Sequence, residues 1–143
     1  MNLNSPLKTP LKEQENSISS EYQLQLNLNQ VEPGQKSIEW AAGLFEGEGW
    51  ISPFHKGWQV AISSTDKDVL EEFLKTVQLG KLYGPYRRTS FKAHYKDQYE
   101  WRLTNAPLVF KFLHQFLPYL CIRRSLRASE AIESLKTTYG LTY

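Results

Sequence analysis

Apolar positions divide the chain into a stretch without period and a stretch that switches between helical and strand periods. Residues 1–36 are rich in Asn, Gln, Ser and Leu, contain Pro6, Pro10 and Pro33, and sustain no helical repeat. Patterned apolar surface there is too sparse to complete a core, so the segment reads as a disordered arm. Its one alternation, Tyr22 to Asn29, has strand period but no partner nearby. From Ser37 the pattern changes. Ser37 is a helix N-cap with Glu39 in the first turn, and its helix runs from Ile38 to about Gly47. Gly47 and Gly49 break it, Trp50–Phe54 reads as a strand, His55-Lys56-Gly57 as a turn and Trp58–Ser63 as the returning strand. Val60 and Ile62 fall on one face of this hairpin, and Gln59, Ala61 and Ser63 on the other.

Ser64-Thr65-Asp66 supplies cap chemistry for a helix with Val69, Leu70, Phe73, Leu74 and Val77 at helical spacing, ended by Gly80. Lys81–Arg88 and Gln98–Thr104 form a second hairpin around a polar loop, Thr89 to Lys96, with Trp101 and Leu103 inward and Glu100 and Arg102 outward. A helix over Pro107–Phe116 carries Leu108, Val109, Phe112 and Leu113 and stops at Pro118. The last helix, Ile122 to about Lys136, packs Ile122, Leu126, Ile132 and Leu135. This order predicts an α+β domain over residues 37–138, followed by a tail at 139–143. Its antiparallel four-stranded sheet is covered by helices on one face, leaving the other free for a large partner such as a DNA groove.

Composition narrows the function classes. A chain of 143 residues suits one compact domain. Cys121 is the single cysteine, so no disulfide framework exists, and no Cys/His cluster has zinc spacing, which fits a reducing, intracellular setting. No apolar run reaches membrane-span length, and the opening residues lack the apolar core of a secretory signal and are poor in Arg. The net charge of +2 conceals segregation: residues 81–127 hold ten Lys and Arg against Asp97 and Glu100, whereas residues 37–80 hold three Lys against seven acids. Basic charge gathered in one stretch is the footprint of a polyanion partner.

The stretch Ala41-Ala-Gly-Leu-Phe-Glu-Gly-Glu-Gly49 carries the most chemistry. Gly43 and Gly47 lie four apart on one helix face, a spacing that lets a second helix backbone come close. Glu46 and Glu48 gather at a helix C-terminus, whose partial negative charge opposes each by about 0.3–1 kcal/mol. A compensating cation follows, and hard oxygen ligands with open positions suit Mg²⁺.

The same nine residues resemble, position by position, the signature of the LAGLIDADG homing endonucleases, with both acids present as Glu. The resemblance continues through the hairpin, Ser-Thr-Asp-Lys at 64–67, Gly80-Lys-Leu-Tyr83 and Leu117-Pro-Tyr-Leu120, covering residues 38–136. It implies a site-specific, Mg²⁺-dependent endonuclease that makes double-strand breaks in DNA. Glu48, with Gly47 beside it, would hold the metal, and Glu46 would assist or serve structure. One motif per chain gives one such carboxylate, so the resemblance implies a homodimer on a near-palindromic site, its helices packed through Ala42, Gly43, Glu46 and Gly47. Arg123 stands where the family usually has a Lys near the cut, Ser64 where it often has a water-positioning Gln, and Leu126 where a polar residue is common. Glu48, Arg123 and Ser64 are therefore the catalytic candidates, and these departures bear on cleavage more than on fold.

Strand parity names the candidate DNA readers. On the first hairpin they are Ser52, Phe54, Lys56, Gln59, Ala61 and Ser63; on the second, Lys81, Tyr83, Arg87, Glu100 and Arg102. Arg and Lys read guanine, Gln reads adenine and Glu accepts from cytosine. Arg88, Lys92, Lys96 and Arg124 read as phosphate contacts, while Trp50, Trp58 and Trp101 read as packing residues. His55, His94 and His114 are too dispersed to share a metal. The competing function is a DNA- or RNA-binding protein on the same fold without cleavage, such as a regulator or a maturase acting on intron RNA. The Asn, Gln and Lys flavour of the arm suits an organelle-encoded, intron-borne frame in a chloroplast or mitochondrion.

Overall fold

The computed structural model describes residues 35–87 and 96–142; Arg88, the expected loop to Tyr95 and the N-terminal arm through Gly34 lie outside that range. Ser37 caps helix α1 (Ile38–Glu48) as its sequence predicts, its hydroxyl accepting from the Trp40 N–H at 3.1 Å. Strands β1 (Gly49–Phe54) and β2 (Gly57–Ser64) follow as a hairpin, with His55 at positive φ in the turn. Helix α2 (Lys67–Val77) ends three residues before Gly80, because Gln78 itself takes the left-handed conformation and returns its N–H to Leu74. Strands β3 (Lys81–Tyr86) and β4 (Gln98–Leu103) form the second hairpin, with a register shift between Tyr83 and Tyr86. Helix α3 (Ala106–Phe116) is capped by Asn105, and a 3₁₀ turn at Leu117–Tyr119 leads into α4 (Ile122–Tyr139), which runs about one turn past Lys136 to take in Tyr139 of the expected tail before Gly140 caps it.

The four strands form one antiparallel sheet in the order β1-β2-β4-β3. Ile51, Trp58, Val60, Ile62, Trp101 and Leu103 line its inner face and meet the helices. An aromatic cluster seals that contact: Phe112 stacks on Phe116 at 4.1 Å, and Phe45 and Phe73 meet them edge-on or tilted. Trp101 packs against Phe73 and donates its indole N–H to the Leu79 carbonyl, so a buried ring has its one polar atom satisfied.

Two helices bury some of the apolar residues expected inside and leave others out. In α3, Phe110 and Phe116 join Val109, Phe112 and Leu113 inside, while Leu108 is exposed. In α4 the buried stripe is Ala128, Ala131, Ile132 and Leu135, and Ile122 and Leu126 are 78% and 67% exposed. Continued one turn toward the N-terminus, that stripe arrives at Arg124, not at a leucine. The sequence pattern misleads here because the inward position at the sheet edge is filled by a guanidinium.

Candidate functional site

The outer sheet face is assembled by register. Trp50, Ala61, Arg102 and Lys81 form one row across all four strands; Ser63, Glu100 and Tyr83 form a second, and Ser52 pairs with Gln59 in a third. The expected readers therefore do share a face, and Gln59 donates to the Ser52 hydroxyl at 3.1 Å. Ala61 is the exception. It is fully buried, because its methyl group lies in the row between the larger side chains of Trp50 and Arg102. Lys56 sits in the hairpin turn, Phe54 at the strand end, and Arg87 just beyond β3 in an exposed pair with Asp97. Trp50, expected as packing, stands on this outer face and is only partly covered, unlike the buried Trp58 and Trp101. Parity alone could have placed it there.

Arg102 is held before any partner arrives. Glu100 binds its guanidinium and keeps it more firmly protonated than usual, Tyr86 adding a smaller contribution, and the Tyr83 ring lies 4.5 Å beneath it. Arg102 and Glu100, expected as separate base readers, are thus partners of each other.

Glu48 is the last residue of α1 and is exposed, with no ion pair among the described residues. Glu46, two residues earlier, is tied down: it accepts the Cys121 N–H at 2.9 Å and pairs with Arg124 at 3.4 Å. Arg124 also donates through Nε and Nη2 to the Gly49 carbonyl. It is therefore a tie within the chain, contrary to its expected role as a phosphate contact, and it satisfies the negative end of α1 that the sequence leaves open. Arg127 donates likewise to the Ile51 carbonyl and covers the Trp58 ring. Arg123 points to neither and is exposed; it shares a cleft of about 380 Å³ with Gly49, Trp50, Leu126 and Glu130. Ser64 lies outside this cleft, its hydroxyl accepting the Asp66 N–H in a local turn before α2, whose N-cap residue is Asp66 and not Ser64.

No three His, Cys, Asp or Glu among the described residues converge to enclose a metal. A single free carboxylate still fits Mg²⁺, which retains waters and takes ligands from substrate phosphate instead of needing a protein cage. On the side of α1 away from the core, Gly43 and Gly47 are exposed, and an added Cβ at either would meet nothing within 4 Å. Ala42, expected beside them at a helix interface, is buried in the chain's own core, because the inward side of α1 runs through Ala41, Ala42 and Phe45.

The fold is that of the LAGLIDADG homing endonucleases. It superposes on homing endonuclease I-CvuI, solved with its target in the presence of 2 mM Ca, with TM-score 0.52 and 15% identity over 68% of this chain. The aligned region spans 64% of I-CvuI. The archaeal intron-encoded homing endonuclease I-Vdi141I, solved with DNA, matches with TM-score 0.50 and 20% identity over 69% of this chain and 68% of its own. The sequence matches no protein-family model and no curated protein. No helix among the described residues is long and apolar enough to cross a membrane.

Proposed function

We propose that the protein is a site-specific DNA endonuclease that acts as a homodimer and needs a divalent cation, Mg²⁺, to hydrolyse one phosphodiester per subunit. The observation that carries this reading is the free Glu48 carboxylate at the end of α1, set beside a fully assembled polar sheet face on the fold of DNA-bound homing endonucleases. The outer face enters the groove, where Ser52 and Gln59 meet base edges while Lys81 and the flanking cations meet phosphates. Glu48, with Gly47 beside it, would hold the cation, which when bound would supply water activation and offset charge developing on the phosphate. Arg123 contributes fixed positive charge from the cleft it shares with Gly49 and Trp50 and, being always protonated, cannot act as a base. One such carboxylate per chain cuts one strand, so two chains meet through the open Gly43 and Gly47 face.

A second reading, nucleic-acid binding without cleavage, draws on Ser64, whose hydroxyl is already engaged by Asp66. One pair of measurements decides between them. Glu48→Gln keeps shape and removes charge, so it binds a duplex containing the target in Ca²⁺ about as well as the wild type, since affinity comes largely from Lys and Arg on phosphate. In Mg²⁺ the wild type cuts and the variant does not, over a labelled-duplex time course. Cleavage by Glu48→Gln at the wild-type rate sinks the assignment; a wild type that binds and never cuts establishes the second reading.

A further inference from the structure

Resting on the endonuclease reading, we infer that Arg124 is the positioning residue of the catalytic turn: it fixes where the Glu48 carboxylate stands and keeps Glu46 from competing for the same cation. Its fork reaches both sides of Glu48 in the chain. Nε and Nη2 converge on the Gly49 carbonyl at 3.1 and 2.5 Å, and Nη1 reaches the Glu46 carboxylate at 3.4 Å. Its side chain is only 18% exposed, so the guanidinium is committed to these contacts, while the exposed neighbour Arg123 is left to face a ligand.

The arrangement is reciprocal. An acid of α1 lies at the N-terminal end of α4, where it receives the Cys121 N–H, and a cation of α4 lies at the C-terminal end of α1. Each charge meets the helix end of opposite sign, so the two helices are locked with the polarity both dipoles favour. Without the guanidinium, two carboxylates two residues apart would stand at a negative helix end with no cation between them, Glu46 held by the Cys121 N–H alone. Glu46 could then turn toward a cation held at Glu48, and the junction from α1 to β1 would lose its tie to α4. A lysine places one charge but cannot donate in a fork to two acceptors.

The test compares Arg124→Met, Arg124→Lys and Glu46→Gln with wild type and Glu48→Gln. Three readouts are taken on the intact chain. The first is Tb³⁺ luminescence sensitised by Trp50, two residues from Glu48, on the complex with target duplex. The second is single-turnover cleavage against Mg²⁺ concentration, and the third is duplex affinity in Ca²⁺. Arg124→Met is expected to weaken Tb³⁺ binding and raise the half-saturating Mg²⁺ by about 10–100-fold, the usual range for a partner of a metal-holding group, with duplex affinity within about threefold. Arg124→Lys recovers part of that loss, and Glu46→Gln, which leaves Gly49 tied, loses least. Should Arg124→Met fail to melt cooperatively, the Lys and Gln variants carry the comparison. Wild-type Tb³⁺ binding and Mg²⁺ dependence in folded Arg124 variants overturn the proposal, as does a fall in duplex affinity parallel to the fall in cleavage, which would make Arg124 a phosphate contact. A wild-type protein with neither cleavage nor Glu48-dependent luminescence overturns the endonuclease reading, and this proposal with it.

Discussion

At residue scale the site depends on one close approach. Gly49 has an ordinary extended backbone, yet an added Cβ would lie 2.3 Å from the Phe45 ring and 2.8 Å from the Phe45 carbonyl oxygen. That ring is fully buried, packed edge-on against both Phe112 and Phe116, and cannot swing away. Gly49→Ala is therefore expected to cost about 1–3 kcal/mol, the range for forcing volume into a packed core, read as a lowered urea midpoint with unchanged slope. An unchanged midpoint would mean the α1–β1 junction is looser than its geometry. The residue chemistry legible in the sequence was of two kinds. Cap signals and the acidic motif are local, so Ser37 and the position of Glu48 at the end of its helix could be read directly. The ties of Arg124 and the burial of Ala61 depend on which elements become neighbours, and spacing along the chain holds no trace of that.

At element scale, α4 solves a problem that β1 creates. An edge strand leaves a row of carbonyls unpaired and open to other chains. Here Arg124 and Arg127, three apart on one helix face, take the Gly49 and Ile51 carbonyls, and Pro53 has no N–H to leave exposed. The eight helices and strands among the described residues were legible in their order, because alternation and helical period differ so clearly here. The facing of α4 was not, since Ile122 and Leu126 imitate a core stripe at helical spacing. The outer side of α1 yields the prediction proper to this scale. Because Gly43 has open space around it within the chain, Gly43→Leu leaves the protomer's own packing untouched. It should retain a wild-type melt at low concentration while shifting sedimentation from dimer to monomer on DNA. A variant that sediments as the wild type does removes α1 from the two-fold interface. A variant that fails to fold would instead mean the glycine is needed inside one chain.

At the scale of the whole molecule, the charge segregation seen along the chain becomes a gradient across the sheet. The β1–β2 half of the outer face presents Ser52, Gln59 and Ser63, whereas the β3–β4 side presents Lys81 and the Arg102–Glu100 pair, with Arg87 just beyond. The two halves should therefore contribute differently to binding: the neutral half by matching base edges, the basic half largely through phosphate charge. Lys81 and Arg87 are the cleanest probes of the second kind, since both are exposed and the Asp97 partner of Arg87 forms a surface pair worth little in water. Replacing both by Gln should weaken binding to target and unrelated duplex by the same factor. It should also flatten the dependence of log affinity on log salt by about one unit for each phosphate left without its cation. Gln59→Ala should leave that slope alone while narrowing the gap between target and unrelated duplex by roughly 1–3 kcal/mol, the usual worth of one base contact. Fluorescence anisotropy over a salt series on both duplexes measures the two effects together. If the double variant keeps the wild-type slope, the basic side of the sheet does not face phosphate, and the placement of DNA across this face is wrong.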